Sequence, residues 1–412
     1  MATIKLGIVG TGRGKTFMKI PECIDAKFYA ICDRRQDKLD SIKEKYPDVL
    51  TFTDYDEFLK CDMDAVILAN YFDEHAPFAI KALKAGKHVL SECICNATIA
   101  QGVELCRTVE ETGKIYMIAE NYPYTRQRWE MQRLYQAGEL GEVMFAEGEY
   151  VHNMPEEKSY AIAPGEFHWR NNIPPTYYGT HALAPLMFMT NTMPKRVTGF
   201  TTKINPEYRK AQVKKSDNGG IVVCEMDNGA IFRTLQGGLR PDTREYRLYC
   251  TKGACEIERR TGDLYVWHND WETGGQVKQR AYLPDWPEHG ELADKATHGG
   301  GDFWVMYYFT KAIAENKQPY LNVYRGVAMS SVGILAWKSI VNGNIPFDVP
   351  DFSNEAERKK YENDTWNPIR KADIDPATQP PITVTGWKPS EEALAKAKAD
   401  WEKTDYKGLG WV

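Results

Sequence analysis

No run of apolar residues in this 412-residue chain approaches the roughly 18 needed to cross a membrane, so no membrane partner is expected. The first residues, MATIKLGIVG, pass straight into a strand pattern without a basic segment leading an apolar one. No leader peptide is therefore expected, and a cytoplasmic location is. CxxC pairs are missing too. The nine cysteines (Cys23, Cys32, Cys61, Cys93, Cys95, Cys106, Cys224, Cys250 and Cys255) are odd in number and sit mostly in apolar runs. That speaks for reduced thiols and against a disulfide framework, and no metal is expected. With a net charge of −5 there is no basic surplus for a phosphate backbone, so nucleic acid is not an expected partner. Repeats and low-complexity tracts are also absent.

Aromatic residues are plentiful instead. The chain holds 11 Trp and 23 Tyr, dense from 145 to 180 and again after 260. Such rings suit the flat faces of sugars, and they serve equally well in a core. At 42% hydrophobic and 26% charged, the chain can bury a large core. Its length implies two or three domains.

The first 120 residues alternate between two patterns. Continuous apolar runs at 4–10, 27–33, 64–70, 88–92 and 115–121 read as strands, with helical stretches at 14–24, 35–45, 54–60, 75–85 and 98–113 between them. This predicts a parallel sheet covered on both faces. Thr98 suits a helix N-cap and Gly86 a helix end. After a helix at 124–138 come longer alternating runs at 142–152, 195–204, 219–226, 230–238, 245–252, 254–260 and 264–269. DNGA (227–230) and TKGA (251–254) mark hairpins. Helices return at 300–315, 325–341 and near 390–403. The predicted class is α/β: a Rossmann domain at 1–121, an α/β domain with a largely antiparallel open sheet at 122–345, and a wrapping arm at 346–412.

Gly10-Thr11-Gly12-Arg13-Gly14 follows the first strand and opens a helix. Glycines there permit a tight turn and close approach to a pyrophosphate, although the third comes one residue earlier than in GxGxxG. Asp33 ends the second strand, where a carboxylate accepts ribose hydroxyls. The adjacent Arg34 could hold a 2′-phosphate, but Asp33 favours NAD over NADP. Glu92 and Glu120 end the fourth and fifth strands, on the side where such sheets bind ligands.

ANYFDEH (69–75) followed by AIKALKAGKHVLSE (79–92) resembles the Gfo/Idh/MocA oxidoreductase family. That resemblance places Asn70 and His75 beside the cofactor. The family's dehydrogenases continue with Glu-Lys-Pro, and that lysine is their usual acid/base. Here the chain reads Glu92-Cys93-Ile94. Cys93 and Cys95, two apart on a strand, would face opposite ways, so a joint metal site or disulfide is not expected. Cys93 reads as a small thiol filling the lysine's place, not as a nucleophile.

AENYPYTRQRWEMQRLYQAGELGEVMFAEGEYVHN (119–153), FHWRNN (167–172), YYGTHALAPL (177–186), HGGGDFWVM (298–306) and IPFDVPDFS (345–353) resemble glycoside hydrolase family 109, which also lacks the lysine. This implies an NAD-dependent glycosidase acting on a glycoside. Its NAD would stay tightly bound and be recycled: carbon 3 of the sugar is oxidised, carbon 2 loses a proton, the aglycone leaves, water adds, and the ketone is reduced. Paired carboxylates are not required. By the same resemblance Tyr150 and His181 are active-site residues. Tyr150 could act as base, if its pKa is lowered, or as acid. Tyr178 lies one helical turn from His181. Arg170 could bind a hydroxyl or steady an enolate, and Trp169 joins the cofactor's surroundings. His298 is a further candidate. His152-Asn153 matches the family's His-Asp only in part. The alternatives are a sugar 3-dehydrogenase with His181 as base, and a non-catalytic dinucleotide-binding protein. A homo-oligomer is expected from the broad sheet.

Overall fold

The computed structural model describes residues 3–20, 24–154, 156–268, 271, 274–275, 278–369 and 377–403. Cys23, Asn269, the end of the helix predicted at 14–24, and parts of the 346–412 arm lie outside these residues.

Six strands form the first sheet: β1 (Ile4–Val9), β2 (Ala26–Cys32), β3 (Leu50–Phe52), β4 (Ala65–Leu68), β5 (His88–Ser91) and β6 (Tyr116–Ile118). All neighbours run parallel in the order β3-β2-β1-β4-β5-β6. Strand β4 is buried at every position, which accounts for its continuous apolar run. The intervening helices carry clear end signals. Thr98 accepts a hydrogen bond from the Gln101 N–H at 3.1 Å, and Gly86 adopts φ 78°. Chain order reverses between β1 and β4, the usual ligand crevice of such a sheet.

The second sheet has nine strands: β7 (Val143–Val151), β8 (Pro194–Thr201), β9 (Gly219–Met226), β10 (Ile231–Gly237), β11 (Tyr246–Cys250), β12 (Gly253–Ile257), β13 (Leu264–His268), β14 (Lys278–Tyr282) and β15 (Phe347–Asp348). Their order is β14-β13-β12-β11-β7-β10-β9-β8-β15. Only β7 and β10 pair parallel. Helices Thr180–Thr190 and Val323–Val341 cover one face. The second of these also packs on helix Ile99–Thr112, joining the two sheets.

Several elements differ from the sequence reading. The first helix is Thr11–Phe17, because the chain turns at Gly10 (φ 92°) and enters the helix at once. Strands β3, β14 and β15 went unseen: two are very short, and β14 (KQRAY) lies exposed on an edge without apolar alternation. Helix Thr180–Thr190 is buried at all eleven positions, so it has no polar face to set a period. Phe347–Asp348, placed in the arm by sequence, belongs to the sheet, paired to β8. Beyond it, Pro380 O accepts from Trp337 Nε1–H at 2.7 Å, and Thr383 donates twice to Asp217. No helix among the described residues is long and apolar enough to cross a membrane.

Candidate active site

The carboxyl ends of β1, β2, β4, β5 and β6 deliver Gly10, Asp33, Asn70, Glu92 and Glu120 to one edge of the parallel sheet. A Cβ on Gly10 would overlap the Ala69 carbonyl, so the β1 and β4 loops can meet only at glycine. Gly14 packs on Ile8, bringing the first helix onto its strand. Gly12 faces open space, with nothing within 4 Å of a Cβ position. Asp33 holds this loop in place, accepting from Thr11 N–H and Oγ1–H at 2.7 and 2.6 Å and from Arg35 N–H at 3.0 Å. Arg34 is paired with Glu74, so its charge is already matched.

Asn70 is informative because both atoms of its side-chain amide are buried without a hydrogen-bond partner, as is Trp169 Nε1. Buried polar atoms of this kind call for a partner. With open Gly12 and the Asp33 carboxylate, they fit a dinucleotide in the crevice. NAD bound there would be held by the glycine loop, Asp33 and Asn70.

Arg13 plays a different part from the cofactor contact expected. It donates from Nε to Glu92 at 2.7 Å and to both carboxylate oxygens of Asp302 at 2.9 and 2.6 Å. It thus ties the glycine loop to helix Gly301–Glu315. Asp302 also accepts from Asn121 Nδ2–H at 2.7 Å and contacts His298 Nδ1 at 2.9 Å. Burial alone would raise the Asp302 carboxyl, but His298 and Arg13 hold it far below the usual range. His75 lies buried beneath the 92–96 loop, with Nδ1 2.9 Å from Ile94 O, so it positions that loop.

The centre of the site is a cluster from both sheets. His181 Nδ1 lies 2.6 Å from Glu120 Oε1, and the Cys93 thiol donates to Glu120 Oε2 at 3.1 Å. Glu120 is fully buried. Burial would raise its carboxyl, but His181, Cys93 and Thr180 outweigh that and hold it below the usual range. The carboxylate therefore takes Nδ1–H and leaves Nε2 of His181 as an acceptor with no partner among the described residues. Tyr246 fixes the helix behind it, donating to His181 O at 2.6 Å. Gly148 on β7 permits the close packing, since a Cβ there would overlap Ala182 O. Tyr150, two residues on, then stands against His181 with ring centroids 4.5 Å apart.

Tyr150 corrects one expectation. Burial, with Tyr178 and Tyr122 adding to it, pushes its phenol well above the ordinary value. That shift keeps the phenol protonated, so the lowered pKa that a base would need is not found. Cys93 behaves likewise: burial first, then Glu120 and Glu92, push the thiol well up and keep it neutral. Cys93 and Cys95 do part company, but in a loop, since β5 ends at Ser91. Cys93 faces Glu120, whereas Cys95 packs beside Gly326. The ligand atoms of Cys93, Glu120 and His181 lie within 4.8 Å of one another, the one such metal-capable group among the described residues. The three are already joined by hydrogen bonds.

An aromatic wall completes the pocket. Phe72 is stacked between Trp169 (4.9 Å) and Tyr178 (5.5 Å), and Tyr178 stacks on Tyr150 at 5.9 Å. Arg170 lies over Trp169 at 4.3 Å and has no acidic partner among the described residues. His152 sits at the rim, 3.4 Å from Asp242 and 3.2 Å from Arg244.

Sequence reasoning missed Tyr122, Asp302 and Tyr246. Tyr122 packs on both His181 (4.8 Å) and Tyr150 (5.2 Å). Signals for the first two were present: Tyr122 follows Glu120 by two, and Asp302 stands in HGGGDF beside His298. Tyr246 carried none.

Comparisons with known proteins agree with this geometry. Residues 4–120 match the oxidoreductase family with an NAD-binding Rossmann fold, so the class is that of the NAD-dependent enzymes. Residues 124–359 match the C-terminal domain of glycosyl hydrolase 109, and the chain belongs to that family. Membership makes it an NAD-dependent enzyme acting on sugars. A glycosyl hydrolase family 109 protein of Solibacter usitatus is 28% identical over 85% of this chain and 88% of its own. An alpha-N-acetylgalactosaminidase of Shewanella oneidensis is 24% identical over 86% of each. Among solved structures, an oxidoreductase domain protein from Kribbella flavida superposes with TM-score 0.71 at 19% identity, over 85% of this chain and all of its own. A levoglucosan dehydrogenase in complex with NADH and L-sorbose gives 0.70 at 17%, over the same shares.

Proposed function

We propose that this protein cleaves glycosidic bonds by transient oxidation at sugar carbon 3, followed by elimination, water addition and re-reduction. The observation that carries this is the buried Glu120–His181 pair, 2.6 Å apart, with Tyr150 against the same imidazole. NAD, when bound, accepts a hydride and returns it, so none is consumed.

His181 Nε2 takes the carbon 3 hydroxyl proton, releases it to solvent, and then takes the carbon 2 proton. Glu120 holds the required tautomer and stabilises the imidazolium that forms. Tyr150, which burial keeps protonated, donates a proton to the departing oxygen. Arg170 and the Trp169–Tyr178 wall hold the sugar. The site has no Glu–Lys–Pro lysine, and Cys93 offers no charge in its place.

The same reading assigns 1–121 to the cofactor, 122–345 to the substrate, and the remainder to an arm. The described cysteines are all free, which supports a reducing, cytoplasmic location. The uncovered face of the second sheet carries Phe200, Ile231 and Tyr249, all exposed, and supports self-association. Pure protein incubated with a panel of aryl glycosides and no added cofactor tests the reading. It should release phenol over many turnovers without accumulating NADH. Product that forms only with stoichiometric cofactor would indicate a sugar 3-dehydrogenase instead.

A further inference from the structure

Lys214 is half-buried beside the site and makes no hydrogen bond or ion pair with any described residue. Its neighbours explain why that is unusual. The next residue, Lys215, donates its N–H to Asn171 O at 2.6 Å, which fixes the segment against the short helix Trp169–Asn172. Lys215 is matched by Glu166. Arg209 spends its guanidinium on Asn218 Oδ1 (2.9 Å) and the carbonyls of Ser216 (2.8 Å) and Asp217 (3.2 Å). The Asp217 carboxylate is taken by Thr383. Among the described residues Lys214 and Arg170 are therefore left without a counter-ion, and Arg170 Nε is buried with no acceptor.

Among the described residues, the charges acting on Lys214 are those of Arg209 and Arg170, both positive. Burial, with Arg209 and Arg170 adding to it, brings its ammonium down to about 7. Two unpaired cations on segments joined by the Lys215–Asn171 hydrogen bond are an unfavourable arrangement that one bound anion relieves. The anion is not the cofactor's pyrophosphate, whose place is the glycine loop after β1. Arg170 instead lies beside Tyr178, whose phenol burial raises against the opposing pull of Arg170, and Tyr178 packs on Tyr150 and His181, at the sugar end of the site.

We propose that Arg170 and Lys214 form a subsite for an anionic oxygen substituent on the sugar, either a sulfate ester or a uronate carboxylate. This rests on the glycoside reading above and goes beyond it, because it names the substrate as acidic.

Titration calorimetry on the NAD-loaded protein tests it with hexoses, hexose 6-sulfates and hexuronates of gluco and galacto configuration, none of which has a bond to cleave. At least one acidic sugar should bind about tenfold tighter than its neutral parent. The two acidic arms tell sulfate from carboxylate. Lys214→Met should bring that preference within about twofold and Lys214→Arg should keep it, with melting curves confirming that both variants fold. Equal or weaker binding of both acidic sugars, or a preference that survives in Lys214→Met, overturns the proposal. Should no sugar bind, the glycoside reading fails and inorganic sulfate decides separately. A rise of about one unit in the Lys214 pKa on adding sulfate, followed by NMR of 13C-methylated lysines, supports the subsite, and no change overturns it.

Discussion

Glu120 and His181 stand 61 residues apart in sequence and 2.6 Å apart in space, one from the end of β6 and the other from a helix of the second unit. The carboxylate fixes which imidazole nitrogen is free. Glu120→Gln keeps the shape but can present its amide N–H to Nδ1, favouring the wrong tautomer. Steady-state kinetics should show kcat down about 10²- to 10⁴-fold with KM changed far less. A loss confined to KM would place Glu120 in binding alone.

Tyr150→Phe removes the proton donor while keeping the ring against His181. A fall in kcat of about 10²-fold is expected for substrates with poor leaving groups, and less for nitrophenyl glycosides, which leave without help. Because burial has raised the Tyr150 phenol, its titration should not shape the pH–rate profile between about pH 7 and 9. A wild-type limb in that range that vanishes in the Phe variant would return Tyr150 to the role of base.

Asp302 gathers Arg13, Asn121 and His298 around one buried carboxylate. Removing its charge leaves Arg13 matched by Glu92 alone, so Asp302→Asn should destabilise the fold by about 1–3 kcal/mol, measured by denaturant unfolding. The native carboxyl lies far below its unfolded value, so its contribution is present above about pH 4 and is lost as pH falls towards the native pKa. The variant should lose less stability than the parent over that acid range.

Cys93 occupies the place of a family lysine, yet its thiol is neutral and bonded to Glu120. Cys93→Ala should leave turnover within a few-fold of the parent. Dialysis against a chelator should also leave turnover unchanged, since Cys93, Glu120 and His181 already satisfy one another. Stoichiometric zinc in the purified protein, with activity lost on its removal, would reassign the triad as a metal centre.

Much of this site was legible from the residues. Gly10, Asp33, Asn70, Glu92 and Glu120 end apolar strands, and parallel sheets send such ends to one edge. The aromatic segments of the second unit announced Tyr150, Tyr178 and His181 by resemblance. The hidden part was pairwise. Nothing in the string says that Arg13 reaches Asp302, 289 residues away, or that Gly148 admits the helix bearing His181. Helix Thr180–Thr190 showed no amphipathic period because no side of it meets water. The direction of the Tyr150 shift depends on burial among other phenols, which only the packed structure supplies.

The central claim is that His181 removes the carbon 2 proton from a sugar briefly oxidised at carbon 3. Turnover of an aryl glycoside in heavy water, with no added cofactor, tests it most directly. The account predicts one deuterium at carbon 2 of the released sugar, seen by NMR, with hydrogen retained at carbon 3. Released sugar carrying no deuterium at carbon 2 would contradict it.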